Sequence, residues 1–135
     1  LDIRGAAIYY AGPTPEKPGQ VIGSCGPTTS GRMDAYAPGL LDCGLAVMIG
    51  KGDRNAAVID AIVRNGAVYL AAMGGAGALM GSCVKAAHIV CYADLGCEAI
   101  RELKVENMPL TVVIDSQGND LYKSGPEAYL RSLED

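Results

Sequence analysis

The chain has 135 residues and a formal net charge of −4; half of its residues are apolar, 18 are glycine, and none is tryptophan or phenylalanine. This length predicts one domain, residues 1–135, with a core of small and branched aliphatic side chains, and the acidic balance without a Lys/Arg cluster argues against a nucleic-acid partner. No apolar run approaches the roughly 20 residues needed to cross a bilayer, and Asp2 and Arg4 interrupt any N-terminal leader, so we expect a cytoplasmic protein without a membrane partner.

Predicted strands and helices alternate along the chain. Apolar runs bounded by glycine or proline predict strands at residues 6–10, 45–49, 67–72, 88–92 and 110–115. Helical spacing and turn signals predict helices at residues 54–64, 76–86, 94–103 and 126–133, after an earlier short helix that ends before residue 38 and a second short turn that reaches residue 44. A tight turn at residues 116–119 leads into an extended pair, 121–122, which places an antiparallel element at one edge. The alternation predicts an α/β layered fold with a mostly parallel sheet.

The segment of residues 21–34, VIGSCGPTTSGRMD, combines the features of a small anion site. An apolar run enters a Gly-Pro turn, three hydroxyl residues follow, and a short helix is expected next. A hydroxyl oxygen of Thr28, Thr29 or Ser30 can accept from the amides of the first helical turn, and those amides with the helix dipole favour an anion. Arg32 adds a planar pair of donors suited to a carboxylate. These residues predict a pocket for a small carboxylate or a phosphate, with a merely structural turn as the alternative.

A second cation follows the next predicted strand, in the turn Gly50-Lys51-Gly52. Glycine on both sides allows unusual backbone angles and close approach, while Lys51 supplies a point charge. Ligands of α/β folds bind beyond the carboxyl ends of the strands, and both this turn and the turn before Arg32 occupy such a position. Taken alone, Lys51 would be interpreted as a solvated lysine. Together with Arg32 it becomes a second binding group for a dicarboxylate.

The cysteines and the lone histidine give no independent signal for catalysis. Five cysteines occur without a Cys-x-x-Cys pair, at positions 25, 43, 83, 91 and 97, so reduced thiols are expected rather than disulfides, zinc or a cluster bound by this chain alone. We interpret Cys25 as a buried small residue and His88 as structural. Glu98, near a predicted helix start, is interpreted as a cap or as a partner of a neighbouring loop, and a place in the site stays open for it.

Several longer motifs occur together in one order along the chain. They are YAGPTP at residues 10–15, GPTTSGRMD at 26–34, MIGKG at 48–52, YLAAMGGA at 69–76, DLGCEAI at 94–100, MP at 108–109 and IDSQGND at 114–120. Through them nearly the whole chain resembles the class I, iron–sulfur fumarate hydratase family, in its β subunit or the equivalent C-terminal domain of the single-chain enzymes. The β subunit of L(+)-tartrate dehydratase shares the pattern, so the family is better defined than the substrate.

This resemblance implies a swivelling β/β/α domain that closes on an α subunit or domain carrying a [4Fe–4S] cluster. Three cysteines of that α partner would hold the cluster, leaving one iron open to act as a Lewis acid on the substrate, and this chain alone would bind no metal. The implied reaction is the reversible addition of water to fumarate, giving (S)-malate, and the chain would be inactive without its α partner. Pairing of two β chains with each other is left open.

The resemblance also implies roles for particular residues. Thr28 matches the threonine that works with an aspartate of the α domain in proton transfer at carbon, and Arg32 and Lys51 match charged substrate-binding residues. The residues matched to the donors around a substrate carboxylate are Thr28, Thr29, Ser30 and Gly31. Because a threonine hydroxyl is a poor base, Thr28 would need help from its partner carboxylate or from a positive field.

One departure from the family pattern is expected to matter. The family's β domain has an upstream segment in which an Arg-Asp-Ala-Ala-His motif supplies a further arginine and a histidine. This chain begins after that motif, and residues 2–4 do not replace it. We therefore expect the family's N-terminal segment to be truncated or disordered.

Two functions of other classes remain open on the sequence. The chain could be a non-catalytic module that binds a regulatory dicarboxylate through Arg32 and Lys51. It could also be a purely structural subunit, in which case Arg32 would be replaceable by lysine.

Overall fold

The computed structural model of the chain describes residues 1–134; residue 135, the last of the predicted domain, lies outside the described part. The described residues form two compact units. The first comprises Leu1–Tyr10, Thr29–Ala71 and the residues from Thr111 onward, and the second comprises Ala11–Thr28 and Ala72–Leu110. The candidate site residues are therefore divided between the units at the peptide bond that joins residues 28 and 29.

A four-stranded sheet forms the centre of the first unit. Its strands are β1 (Ala7–Tyr9), β2 (Val47–Gly50), β3 (Val68–Ala71) and β6 (Thr111–Ile114), in the spatial order β1-β2-β3-β6. The first three run parallel, and β6 pairs antiparallel with β3. The carboxyl ends of the three parallel strands thus lie on the same side of the sheet, and the Gly-Lys-Gly turn begins there, at the end of β2.

Three helices belong to the same unit: α1 (Ala37–Asp42), α2 (Ala56–Asn65) and α4 (Leu121–Ser132). Helix α2 has an N-cap at Asn55, whose side chain accepts from an amide of the first turn, and a C-cap at Gly66, whose φ of +62° is the left-handed conformation that glycine allows. Side chains from α1, α2, β2, β3 and β6 share one core. Its largest fully buried members include Tyr69, Leu41, Leu45, Met48, Ile62 and Ile114.

The second unit contains α3 (Gly77–Cys83), β4 (Val84–Cys91) and β5 (Ile100–Val105). Strands β4 and β5 form a two-stranded antiparallel sheet, and the 3-10 segment Ala93–Glu98 lies between them in the chain. Helix α3 approaches the loop of residues 11–28 closely, because a Cβ at Gly81 would collide with the carbonyl oxygen of Gly23. No helix within residues 1–134 is both long and apolar enough to cross a membrane.

The predicted α/β fold, with a mostly parallel sheet and an antiparallel element at its edge, is confirmed. The antiparallel edge strand is β6 itself. The predicted extended pair at 121–122 is wrong, since these residues begin α4, where the Asp120 side chain accepts from the N–H of Tyr122 at 3.0 Å. An N-cap of this kind favours a helix over a strand.

The helix predicted at residues 94–103 is also wrong. The chain there forms the 3-10 segment Ala93–Glu98 and then β5, and Gly96 interrupts any longer helix with φ 58° and ψ −114°. Pro38, expected to end a helix, instead lies in the first turn of α1. Proline is tolerated at that position because the first-turn amide has no partner within the helix.

Two aspartate–arginine pairs of the first unit differ sharply in burial. The Asp34–Arg54 pair joins Oδ1 to Nε at 2.6 Å, with side-chain exposures of 12% and 0%, whereas both side chains of the Asp42–Arg64 pair are 49% exposed. The second Asp34 oxygen accepts from the N–H of Asn55 at 2.7 Å. Hydrogen bonds from Arg64 and Asn65 hold the pKa of the exposed Asp42 carboxyl at about 2. Only the Asp34–Arg54 pair leaves a buried charge if one partner is removed.

We expect Asp34→Asn to lower the free energy of unfolding by about 3 kcal/mol or more, because it leaves the buried Arg54 cation without its counter-ion. The same change at Asp42 should cost much less, since water can solvate Arg64. Urea unfolding of both variants beside the wild type measures the difference. Equal losses of unfolding free energy at the two positions would contradict the greater stabilising role assigned to the Asp34–Arg54 pair.

Candidate functional site

The candidate site residues of the first unit lie on two turns that are joined by backbone contacts. The first is the 3-10 turn Ser30–Met33, which carries Arg32, and the second follows β2 and carries Lys51. Thr29 pairs with Lys51 in an isolated parallel bridge, and the Ser30 N–H donates to the Lys51 carbonyl at 3.0 Å. Both cationic residues are exposed. The pairing therefore fixes the two backbones and leaves both charges accessible to a ligand.

The hydroxyl of Ser30 points inward and binds groups of the protein itself. Ser30 is fully buried, and its Oγ accepts from the Lys51 N–H at 3.1 Å. Room for this side chain exists because Gly50 has no Cβ; a Cβ there would collide with the Ser30 side chain and lie 3.1 Å from Cδ2 of Tyr10. Ser30 therefore holds the second turn.

Two tyrosine hydroxyls hold Gly52, the residue after Lys51. The Tyr69 hydroxyl donates to the Gly52 carbonyl at 3.0 Å and lies 2.9 Å from Ser30 Oγ. The Gly52 N–H donates to the Tyr122 hydroxyl oxygen at 3.2 Å. Because a carbonyl only accepts, the single Tyr69 proton serves Gly52 and the Ser30 hydroxyl donates to Tyr69. Gly52 has φ +86°, a conformation that favours glycine.

Burial raises the pKa values of two tyrosine hydroxyls beneath the turns. Loss of hydration is the largest effect and raises the pKa of Tyr69 to about 12, although the hydrogen bond with Ser30 lowers it in part. Burial also raises the pKa of Tyr10. Both rings face the Arg54 guanidinium, at 5.0 Å for Tyr69 and 5.5 Å for Tyr10. The region beneath the two turns thus contains the Arg54 cation, its Asp34 counter-ion and the two phenol rings that face the guanidinium.

The predicted hydroxyl cap on the first turn is wrong. Thr29 occupies the N-cap position of the 3-10 turn, but its side chain makes no capping hydrogen bond. Ser30 cannot cap because its oxygen is taken by Lys51 and Tyr69. A 3-10 turn of four residues also lacks the aligned peptide dipoles of a longer α-helix. Of the predicted anion-binding groups, the exposed side chains Thr29, Arg32 and Lys51 and the exposed Gly31 backbone remain available.

The remaining site candidates lie in the second unit. Thr28 is exposed and ends the segment Ala11–Thr28. Cys25 is 1% exposed, and its N–H donates to the Gly77 carbonyl at 2.9 Å. Burial raises the pKa of the Cys25 thiol, and nearby Arg101 offsets this only in part. A buried, protonated thiol is a poor nucleophile, which confirms Cys25 as a buried small residue.

Two further candidates are exposed residues of the same unit. His88 lies within β4, opposite Glu102 of β5. Glu98 ends the 3-10 segment instead of starting a helix, so its interpretation as a helix N-cap is wrong. The structural role of His88 stays a prediction.

Sequence reasoning missed the residues beneath the turns, namely Asp34, Arg54, Tyr69 and Tyr122. An arginine between a glycine turn and a helix start is ordinarily exposed, and nothing local indicates that Arg54 is buried. Tyr69 stands in a predicted strand, where alternation predicts which face it occupies but not the partner of its hydroxyl. Tyr122 belongs to the predicted extended pair at residues 121–122, although the structure places it in α4. No local signal pairs Tyr69 with Ser30, since the two residues lie 39 positions apart in the chain.

The described residues do not offer a donor set for an iron–sulfur cluster. Within residues 1–134, no group of three or more His, Cys, Asp or Glu side chains could hold a metal ion. The cysteines differ in depth, since Cys25 and Cys83 are buried whereas Cys43 and Cys97 are exposed. A cluster needs thiolates gathered about one point, so these residues do not fit one.

Comparison with known proteins gives one consistent family. The family model described as Fumarase C-terminus matches residues 1–125. The chain is 40% identical over 123 residues to the aerobic class I fumarate hydratase of Escherichia coli K12 and 37% identical over 122 residues to fumarate hydratase 2 of Leishmania major; these matches cover 90% and 89% of the chain and 22% of each relative. The chain thus spans about a fifth of the length of these relatives.

A third relative is named a putative L(+)-tartrate dehydratase subunit beta, from Methanocaldococcus jannaschii. It is 38% identical over 129 residues, which cover 91% of the chain and 66% of that relative. The names of all three relatives are those of hydro-lyases. Because the family match covers most of the sequence, the chain belongs to the fumarase C-terminus family.

Proposed function

We propose that the chain is the substrate-binding β part of a hydro-lyase that reversibly hydrates fumarate to (S)-malate, in a site completed by an α subunit or domain. The observation that supports this proposal is the backbone pairing of the turns that carry Arg32 and Lys51. A dicarboxylate has two anionic ends. A planar guanidinium and a compact ammonium, held on linked backbones, suit such a ligand better than either cation alone.

Negative charge that develops on the substrate carboxylate during the reaction would give Arg32 and Lys51 a catalytic role. Removing a proton from the carbon next to a carboxylate places additional negative charge on that carboxylate, and fixed cations and N–H donors stabilise this charge most. In the proposal, Arg32 binds a carboxylate through two parallel hydrogen bonds and Lys51 neutralises charge. The Thr29 hydroxyl and the Gly31 amide add donors. Ser30, whose hydroxyl is buried, contributes by holding Lys51.

Thr28 is the proposed catalytic residue, as the family resemblance implies. Its hydroxyl would move a proton to or from carbon together with a carboxylate of the α partner. The reason for requiring that carboxylate is chemical, since an unassisted threonine hydroxyl is a weak base. The iron–sulfur cluster would likewise come from the α partner, because the described cysteines do not fit one.

L-Tartrate is the second candidate substrate. The Methanocaldococcus jannaschii relative supports it, because the chain is 38% identical to that putative L(+)-tartrate dehydratase subunit beta. Tartrate and malate are both 2-hydroxy dicarboxylates, so the same two cations would bind either.

Reconstitution with the α partner tests the proposal. We expect neither chain alone to turn over substrate, and the anaerobically assembled pair to hydrate fumarate. Both fumarate hydration and L-tartrate dehydration should be measured on the same preparation, with each separate chain as control. Dehydration of tartrate alone would make tartrate the substrate. Tight malate binding by this chain with no α association would contradict the enzyme and favour a regulatory module.

Arg32→Lys should lower kcat/KM of the assembled enzyme by about a hundredfold, the typical effect of losing one oriented donor at a developing charge. Arg131→Lys is the matched control, because Arg131 is an exposed arginine of α4 paired with Glu127. Thermal unfolding of both variants should match the wild type, since Arg32 is exposed. Unchanged kcat/KM in Arg32→Lys would support a purely structural subunit.

A further inference from the structure

The backbone of Lys51 and Gly52 has a partner for each of its polar groups. The Lys51 N–H donates to Ser30 Oγ, and the Lys51 carbonyl accepts from the Ser30 N–H. The Gly52 N–H donates to the Tyr122 hydroxyl oxygen, and the Gly52 carbonyl accepts from the Tyr69 hydroxyl. A turn at the surface normally gives some of these groups to water. Here the protein binds them all.

These partners come from separate parts of the first unit. Tyr69 belongs to β3, Tyr122 to the first turn of α4, and Ser30 to the 3-10 turn. Glycine on both sides of Lys51 would otherwise let the backbone sample many conformations. The contacts remove that freedom while the Lys51 side chain stays exposed.

We propose that Tyr69 and Tyr122 are positioning residues, which fix the backbone of Lys51 and Gly52 and so set where the Lys51 ammonium meets a carboxylate. This inference rests on the proposed function and adds to it the groups that orient the cation. Tyr69 is fully buried, so its hydroxyl acts through the turn and not on the ligand.

The flexibility of a lysine side chain supports a positioning role for Tyr69 and Tyr122. A lysine ammonium is a point charge on a flexible four-carbon stem. Its position therefore depends strongly on where the backbone holds the Cα atom. The Tyr69 ring also faces Arg54 at 5.0 Å. Replacing Tyr69 by phenylalanine keeps that ring and removes only the hydroxyl. The Tyr69 hydroxyl is a donor through the neutral range, as an ordinary tyrosine is, and burial raises its pKa further, to about 12.

The test uses Tyr69→Phe and Tyr122→Phe in the assembled enzyme. Tyr129→Phe is the control, since Tyr129 is 65% exposed. The measurements are the inhibition constant of succinate, a saturated dicarboxylate that cannot be hydrated, and the hydrogen exchange of the Lys51 and Gly52 amides. We expect each variant to bind succinate about five- to tenfold more weakly, as for one lost hydrogen bond, with faster exchange at these two amides and no change in the control.

A Lys51→Met background separates positioning from general destabilisation. If the tyrosines act through the ammonium, adding Tyr69→Phe to Lys51→Met should change the succinate constant by less than about twofold. The same loss in both backgrounds would overturn the proposal, and so would unchanged inhibition and exchange. Where Lys51→Met binds too weakly to measure, exchange decides. Acceleration confined to Lys51 and Gly52 supports the proposal, and acceleration throughout β2 and β3 overturns it.

Failure of the proposed function has a different signature. A wild-type assembly that neither hydrates fumarate nor responds to succinate would refute the hydro-lyase proposal. Amide exchange in the tyrosine variants would still report whether the two hydroxyls fix the turn.

Discussion

The close packing of Ser30 against Gly50 is the constraint on which the candidate site depends. Gly50 has no Cβ, and the Ser30 side chain occupies the space that one would fill. From that position Ser30 Oγ reaches both the Lys51 N–H and the Tyr69 hydroxyl. A larger residue at position 50 would push the first turn away from the end of β2. The two hydrogen bonds between Ser30 and Lys51 would then be lost together, because one uses the Ser30 hydroxyl and the other uses the Ser30 N–H.

The buried Asp34–Arg54 pair secures the other end of the same turn. Asp34 directly follows the turn Ser30–Met33, and its two oxygens bind the Arg54 guanidinium and the Asn55 amide. A buried ion pair contributes little net stability compared with apolar side chains of the same volume. Its role here is geometric, since it ties the residue after the first turn to Arg54 and Asn55, which follow the second turn. Tyr69 contacts both structures: its ring faces Arg54 of the ion pair, and its hydroxyl binds the Gly52 carbonyl of the second turn.

Local pattern was sufficient for the strands of the sheet and for the two turns at its edge, because short apolar runs between glycines leave few other readings. It failed where a distant partner decided the outcome. Thr29 and Ser30 look like helix caps, yet the Ser30 hydroxyl is bound by Lys51 and Tyr69, which lie 21 and 39 residues away in the chain. Tyr122 falls in the predicted extended pair because the turn before it does not reveal the helix cap that Asp120 forms. The roles of Tyr69 and Arg54 could not be predicted, since burial of a polar group depends on packing across the unit.

If Tyr69 and Tyr122 position Lys51 as proposed, substitutions at buried residues of this chain affect ligand binding through distance. The Coulomb energy of two charges varies inversely with their separation, so moving an ammonium from about 3 Å to about 4 Å from a carboxylate removes about a quarter of the attraction. Such a displacement requires no change in Arg32 or Lys51. The positioning proposal assigns this effect to loss of the Tyr69 hydroxyl, because that hydroxyl bonds the Gly52 carbonyl and Ser30 Oγ, the groups that hold the Lys51 backbone. A buried substitution that leaves the sheet intact would therefore weaken ligand binding in the proposed site, by less than removing the Lys51 charge itself.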